Sequence, residues 1–247
     1  MEVAMPVTRN IQSSILFASP FIGYQPANIS NGEPAINAAN LIKQTMLGAP
    51  FTWPWNRVAF EISIPTIDPY ADVSQAQDYA INTVRFAFLE KAWLTDPVTG
   101  EVKPLTIVSS LAAESAVMRP QSIAVQAQDD DSVTLRINSL PDQNYLLNGF
   151  YQQTPLPVTS TASSWAPIPD HLSYIYDWGF LGMLSMITKD ARQAMFQQKF
   201  VSHLLGAQDG ITATQRNIFI GEWLALMSET GRNQLTTQQG VQARSAT

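Results

Sequence analysis

Asp170-His171-Leu172-Ser173-Tyr174-Ile175-Tyr176-Asp177-Trp178-Gly179-Phe180-Leu181-Gly182-Met183-Leu184-Ser185-Met186-Ile187 leaves a helix almost no polar side with which to meet water. Leu172, Ile175, Tyr176, Gly179, Met183, Met186 and Ile187 share one face at helical spacing, and Trp178 with Leu181 widens the apolar arc well beyond a stripe. Such a helix is buried on more than one side, so it demands neighbours. Two follow at once. In 190–205, Phe196, Phe200, Val201, Leu204 and Leu205 face one way, Arg192, Lys199, Ser202 and His203 the other, and Gly206 can end the helix. In 213–229, Phe219, Trp223, Leu226 and Met227 recur at helical spacing behind Thr212-Ala213-Thr214-Gln215, which has capping-box spacing.

A fourth helix is expected upstream. Pro34 suits a first helical turn, and Ile36, Ala39, Met46 and Leu47 share a side up to Gly48. Pro50 and Pro54 forbid continuation, and Trp53, Pro54 and Trp55 should form a structural corner. Val58, Phe60, Ile62 and Ile64 then alternate with Ala59, Glu61 and Ser63, the period-two pattern of a strand with one buried face. Further strands are expected at 83–94, 102–108, 122–128, 133–137 and 145–152, with Asp96-Pro97-Val98-Thr99-Gly100 as a hairpin turn and a short helix at 110–117.

The expected fold class is therefore α+β: a small helical bundle, made of the front helix and three C-terminal helices, with an inserted antiparallel β-rich region. Its parts are an extended N-terminal arm (1–33), the helical bundle domain (34–57 and 167–231), the β-rich insertion (58–153), a Pro, Ser and Thr-rich linker (154–166) and a flexible C-terminal tail (232–247).

Composition narrows the function classes. Lys and Arg total 14 against 20 Asp and Glu, and a net charge of -6 argues against a general nucleic-acid-binding surface, which needs a positive patch. Only 14% of residues are charged and there is no cysteine, which excludes disulfides and thiolate chemistry. No window resembles a membrane span or a secretory signal, so a soluble protein is expected.

The search for chemistry is short. His171 and His203 sit on different helices without a carboxylate or second histidine at catalytic or metal-ligand spacing. Asp129-Asp130-Asp131 lacks the alternation and closing Glu of a calcium loop and reads as a solvated turn. No phosphate-binding glycine loop or nucleophile elbow is present. The expectation is a protein that is not an enzyme, with no catalytic, metal or cofactor-binding residues.

Taken in order, the helix from Pro34, Ala49-Pro50-Phe51-Thr52-Trp53-Pro54-Trp55-Asn56-Arg57, the β insertion, Ile168-Pro169-Asp170 and the helix from Asp190-Ala191-Arg192 to Phe200 resemble the head-to-tail connector (adaptor) proteins of tailed bacteriophages, including the tail tubular protein A type. The resemblance implies a structural virion protein of the neck or tail, made in the host cytoplasm. It would form a ring, usually of about twelve copies, docked under the portal protein and above a tail or nozzle protein. DNA would pass through the ring without specific binding, and no membrane is involved. An acidic subunit suits such a channel, because a basic lumen would hold the phosphates. Portal or partner docking is expected of the tail, through Arg232, Asn233, Gln234, Leu235, Gln238, Gln239, Val241 and Arg244. Alternatives are another neck or tail ring, such as a stopper, tail terminator or baseplate component, and, from a different class, a carbohydrate-binding module using the Trp53 and Trp55 pair.

Overall fold

A computed structural model of the chain describes residues 9–23, 33–66, 77–208 and 210–227. Seven strands make one sheet: β1 (Arg57–Ile64), β2 (Asp78–Asn82), β3 (Phe86–Thr95), β4 (Val102–Ile107), β5 (Ser122–Gln128), β6 (Ser132–Ile137) and β7 (Tyr145–Gln153), in the order β1-β7-β3-β4-β5-β6-β2. The helices are α1 (Ile11–Ile22), α2 (Glu33–Leu47), α3 (Ser173–Ile187), α4 (Gln193–Gly206) and α5 (Ala213–Leu226).

This corrects the expected fold class. The sheet is not an insertion in a small helical bundle. It curls until its edge strands β1 and β2 meet, giving a nearly closed barrel, so the fold is sheet-rich. Nor is it purely antiparallel, because β4 and β5 run parallel over Thr106↔Ser122 and Ile107↔Ile123. A parallel pair needs a long crossover, and residues 108–121 supply it.

That crossover was expected to hold a short helix at 110–117, and no helix forms there. Its backbone groups are bonded elsewhere. Glu114 donates its N–H to Gln77 Oε1 at 3.1 Å and its carbonyl accepts from Gln77 Nε2. The Ala116 carbonyl accepts from Leu140 N at 2.9 Å, beside a bridge between Val117 and Leu140. A helix would have to break all of these.

Residues 11–22, read as part of an extended arm, are helical. Asn10 caps α1 by accepting from Ser13 N at 2.9 Å, and Gly23, at φ 62, closes it with an N–H to Ser19 O at 3.0 Å. Ile11, Ile15 and Ala18 form its buried stripe. The capping box at Thr212 and Gln215 is present in full at the start of α5.

Two apolar cores result. Inside the barrel lie Ile64, Ile81, Phe86, Leu94, Ile123, Val133, Leu135, Ile137, Tyr145, Leu147 and Tyr151. The helical core gathers α1, α2 and α3 with Phe196, Phe200, Phe219 and Trp223, and Trp165 stacks on Tyr176 with ring centroids 4.3 Å apart. The α3 helix is buried nearly all round: Leu181 is fully buried, and Trp178 meets Phe17, Phe21, Phe196 and the Lys199 ammonium, the last 4.1 Å from its ring.

Candidate functional site

The two cores join at the Trp53-Pro54-Trp55 corner. Pro54 leads a single 3-10 turn, Pro54–Asn56, that turns the chain from α2 into β1. Trp53 is 4% exposed and its indole N–H donates to the Met46 carbonyl at 2.6 Å, tying the corner to the last turn of α2. Trp55 lies against it, half-buried, with ring centroids 5.3 Å apart.

Beneath the corner, Gln152 of β7 is fully buried and accounts for each polar group it meets. Its Oε1 accepts from Trp53 N at 3.3 Å, and its Nε2 donates to Trp53 O at 3.2 Å and to Glu90 Oε2 at 2.6 Å. Glu90 also takes the Arg57 guanidinium in a two-pronged grip, with Nε donating to Oε2 at 2.9 Å. Both oxygens of Glu90 are engaged, and among the described residues no hydroxyl, imidazole or second carboxylate bonds to it. The arrangement binds the corner to the sheet.

A second polar knot fastens α1 to α3. Asp177, 4% exposed, accepts from Arg9 Nη2 and from Ser14 Oγ, each at 2.7 Å, and Trp165 Nε1 donates to Ser14 Oγ at 2.9 Å. Burial pushes the Asp177 carboxyl above the usual carboxylate range, while Ser14 and Arg9 pull it partly back. Lys43 on α2 is also buried, with no hydrogen-bond or ion-pair partner among the described residues. Burial, helped by the charge of Arg85, lowers its ammonium to about 8. Nothing in its sequence context marked Lys43 except its place beside Ile42, on the buried side of α2.

An open cleft of about 960 Å³ is lined by Arg85, Phe86, Gln128, Asp129, Asp130, Asp131, Ser132 and Thr154. The three aspartates are exposed in the β5–β6 turn, where Asp129 N donates to Ser132 O at 2.9 Å. Among the described residues no group of three or more His, Cys, Asp or Glu comes together as a metal site. His171 is exposed, and His203 sets its ring edge-on to Tyr174 at 5.4 Å. The smaller hollow is a groove of about 170 Å³ between the end of α2 (Gln44, Thr45, Gly48, Ala49) and α5 (Phe219, Glu222, Trp223, Leu226). Trp223 is 4% exposed, and its Nε1 is buried without a hydrogen-bond partner among the described residues. Sequence reading placed Trp223 at helical spacing with Phe219, Leu226 and Met227 and could not see its buried N–H.

The eight tail residues singled out for docking, from Arg232 to Arg244, lie outside the described residues. No described helix is long and apolar enough to cross a membrane. No protein-family model matches the chain, and no curated protein matches it either.

Proposed function

We propose that this chain is a structural ring subunit of a tailed-phage neck, an adaptor of about twelve copies that joins the portal to the tail and leaves a passage for DNA. The observation that supports it best is where large apolar side chains face water. On the helical layer Tyr174, Met195, Ile218 and Leu224 are 44%, 44%, 55% and 62% exposed. On the barrel Val98, Val102 and Val117 are 92%, 56% and 55% exposed. A subunit with neighbours at both ends needs contact surface on both bodies, whereas an enzyme would concentrate its unusual groups in one cleft. The acidic composition suits a channel that must not hold DNA.

The sugar-binding alternative loses its platform, since Trp53 is enclosed and spends its N–H on Met46. The test is co-expression with the portal protein of the parent particle, followed by sedimentation and electron microscopy. A ring of the chain seated on the portal is expected. A chain that sediments as a single copy, with and without portal, overturns the proposal.

A further inference from the structure

We infer that the groove between the end of α2 and α5 receives residues 232–244 of a second copy of this chain, with Leu235 as the anchor. The inference rests on the ring reading and specifies how one copy holds the next. A closed ring is built from head-to-tail contacts, in which one part of a subunit meets a different part of its neighbour. A segment entering a groove is such a pair.

The groove suits an extended peptide. Phe219 and Leu226 make it apolar, Gln44, Thr45 and Glu222 border it, and its volume of about 170 Å³ takes one aliphatic side chain and no helix. Trp223 forms part of its wall, with the indole N–H buried and without an acceptor among the described residues. Residues 228–247 follow Met227 and, fully extended, span roughly 65 Å, a length sufficient to leave their own helix and reach the groove of a neighbouring copy. Leu235 and Val241 are the only bulky apolar residues among them. From 232 onward the charged residues are Arg232 and Arg244, opposite in sign to Glu222 on the groove.

Because the chain has no cysteine, an engineered pair reports the contact cleanly. Full-length Gln44→Cys and full-length Gln234→Cys are mixed and oxidised, and a disulfide-linked heterodimer is expected. Both substitutions in one chain should give a ladder of covalent oligomers. Val98→Cys, at a position 92% exposed on the barrel, paired with Gln234→Cys sets the rate of chance collision. Adding Leu235→Ser, which removes the apolar anchor and keeps the length of the segment, should weaken the contact about tenfold. A cross-link that closes within one chain, a rate equal to the Val98→Cys control, or indifference to Leu235→Ser overturns the inference. The ring reading fails separately: a covalent ladder that never binds portal keeps the groove and sinks the adaptor, and portal binding without the cross-link does the reverse.

Discussion

The ring of Phe60 lies over Gly149, its registered partner across β1 and β7. A Cβ on Gly149 would stand 2.5 Å from Phe60 Cε1 and 2.7 Å from the Lys91 carbonyl oxygen of β3. The phenyl group occupies the space that a side chain at 149 would take. Gly149→Ala is expected to destabilise the barrel by about 1–3 kcal/mol through overpacking, since the carbonyl is backbone and has no rotamer to yield. The pair Gly149→Ala with Phe60→Leu should recover part of that loss. Urea melts of both variants read the difference, and equal melts would put the strain elsewhere.

At the corner the two tryptophans should behave differently. Trp53→Ala removes an enclosed ring and its bond to Met46, and is expected to cost about 3–5 kcal/mol. Trp55, half-buried, should cost about half as much. Chemical denaturation of the two variants orders them, and the reverse order would make Trp55 the true keystone.

Arg9→Ala strands the Asp177 carboxylate. With that partner gone, a loss of about 2–3 kcal/mol is expected at pH 7. The folded carboxyl already sits above its ordinary value, and without Arg9 it rises further. The folded state then holds the proton that the unfolded state releases, so stability returns as pH falls toward the ordinary carboxylate value. Melts of Arg9→Ala at pH 7 and pH 5 should converge on the parent at the lower pH. Hydrogen exchange should show α1 loosening first.

Lys43→Met is expected to stabilise the protein by about 1–3 kcal/mol at pH 7, because an unpaired buried charge becomes an apolar side chain of similar shape. The Lys43 ammonium is lowered to about 8, so between that pH and the ordinary 10.5 the unfolded chain holds a proton the folded chain has lost. Parent stability therefore climbs across that window, by at most about 1.4 kcal/mol per pH unit. The advantage of the variant should shrink over the same range. A pH-independent difference would mean that the ammonium is not desolvated.

What the sequence disclosed, and what it hid, follows from where each residue finds its partners. The alternation from Val58 to Ile64 is local, and it names both the strand and its inward face. Thr212 and Gln215 are equally local and mark the start of α5. β2 went unread because in Asp78-Tyr79-Ala80-Ile81-Asn82 the alternation of Tyr79 and Ile81 covers only two inward positions, too short to stand out. A distant ion pair holds it to β6, with Arg136 Nε and Nη2 each 2.6 Å from Asp78. The crossover at 110–117 has Ala and Glu, good helix formers, yet Gln77 and Leu140 claim its backbone. In α1, Pro20 and the nearby Gly23 suggested an arm, although Asn10, Ile11 and Ile15 carried the cap and the stripe in plain sight.

The Trp223 groove and the Asp177 knot were hidden for the same reason as β2. They are made by elements more than 150 residues apart, and no periodicity encodes which of those will touch.

Gln152 gives the molecule a load path. A pull applied along β7 is shared laterally by β1 and β3, whose ladders it would have to shear, and it reaches the corner through the Gln152 amide, which grips both the N–H and the carbonyl of Trp53, and through Asn56 Nδ2, which donates to the Gln153 carbonyl at 2.8 Å. Bonds loaded side by side in shear yield together, whereas a flexible tether would stretch. Tension on the barrel is therefore handed to the end of α2 with little slack, as in a bolted flange.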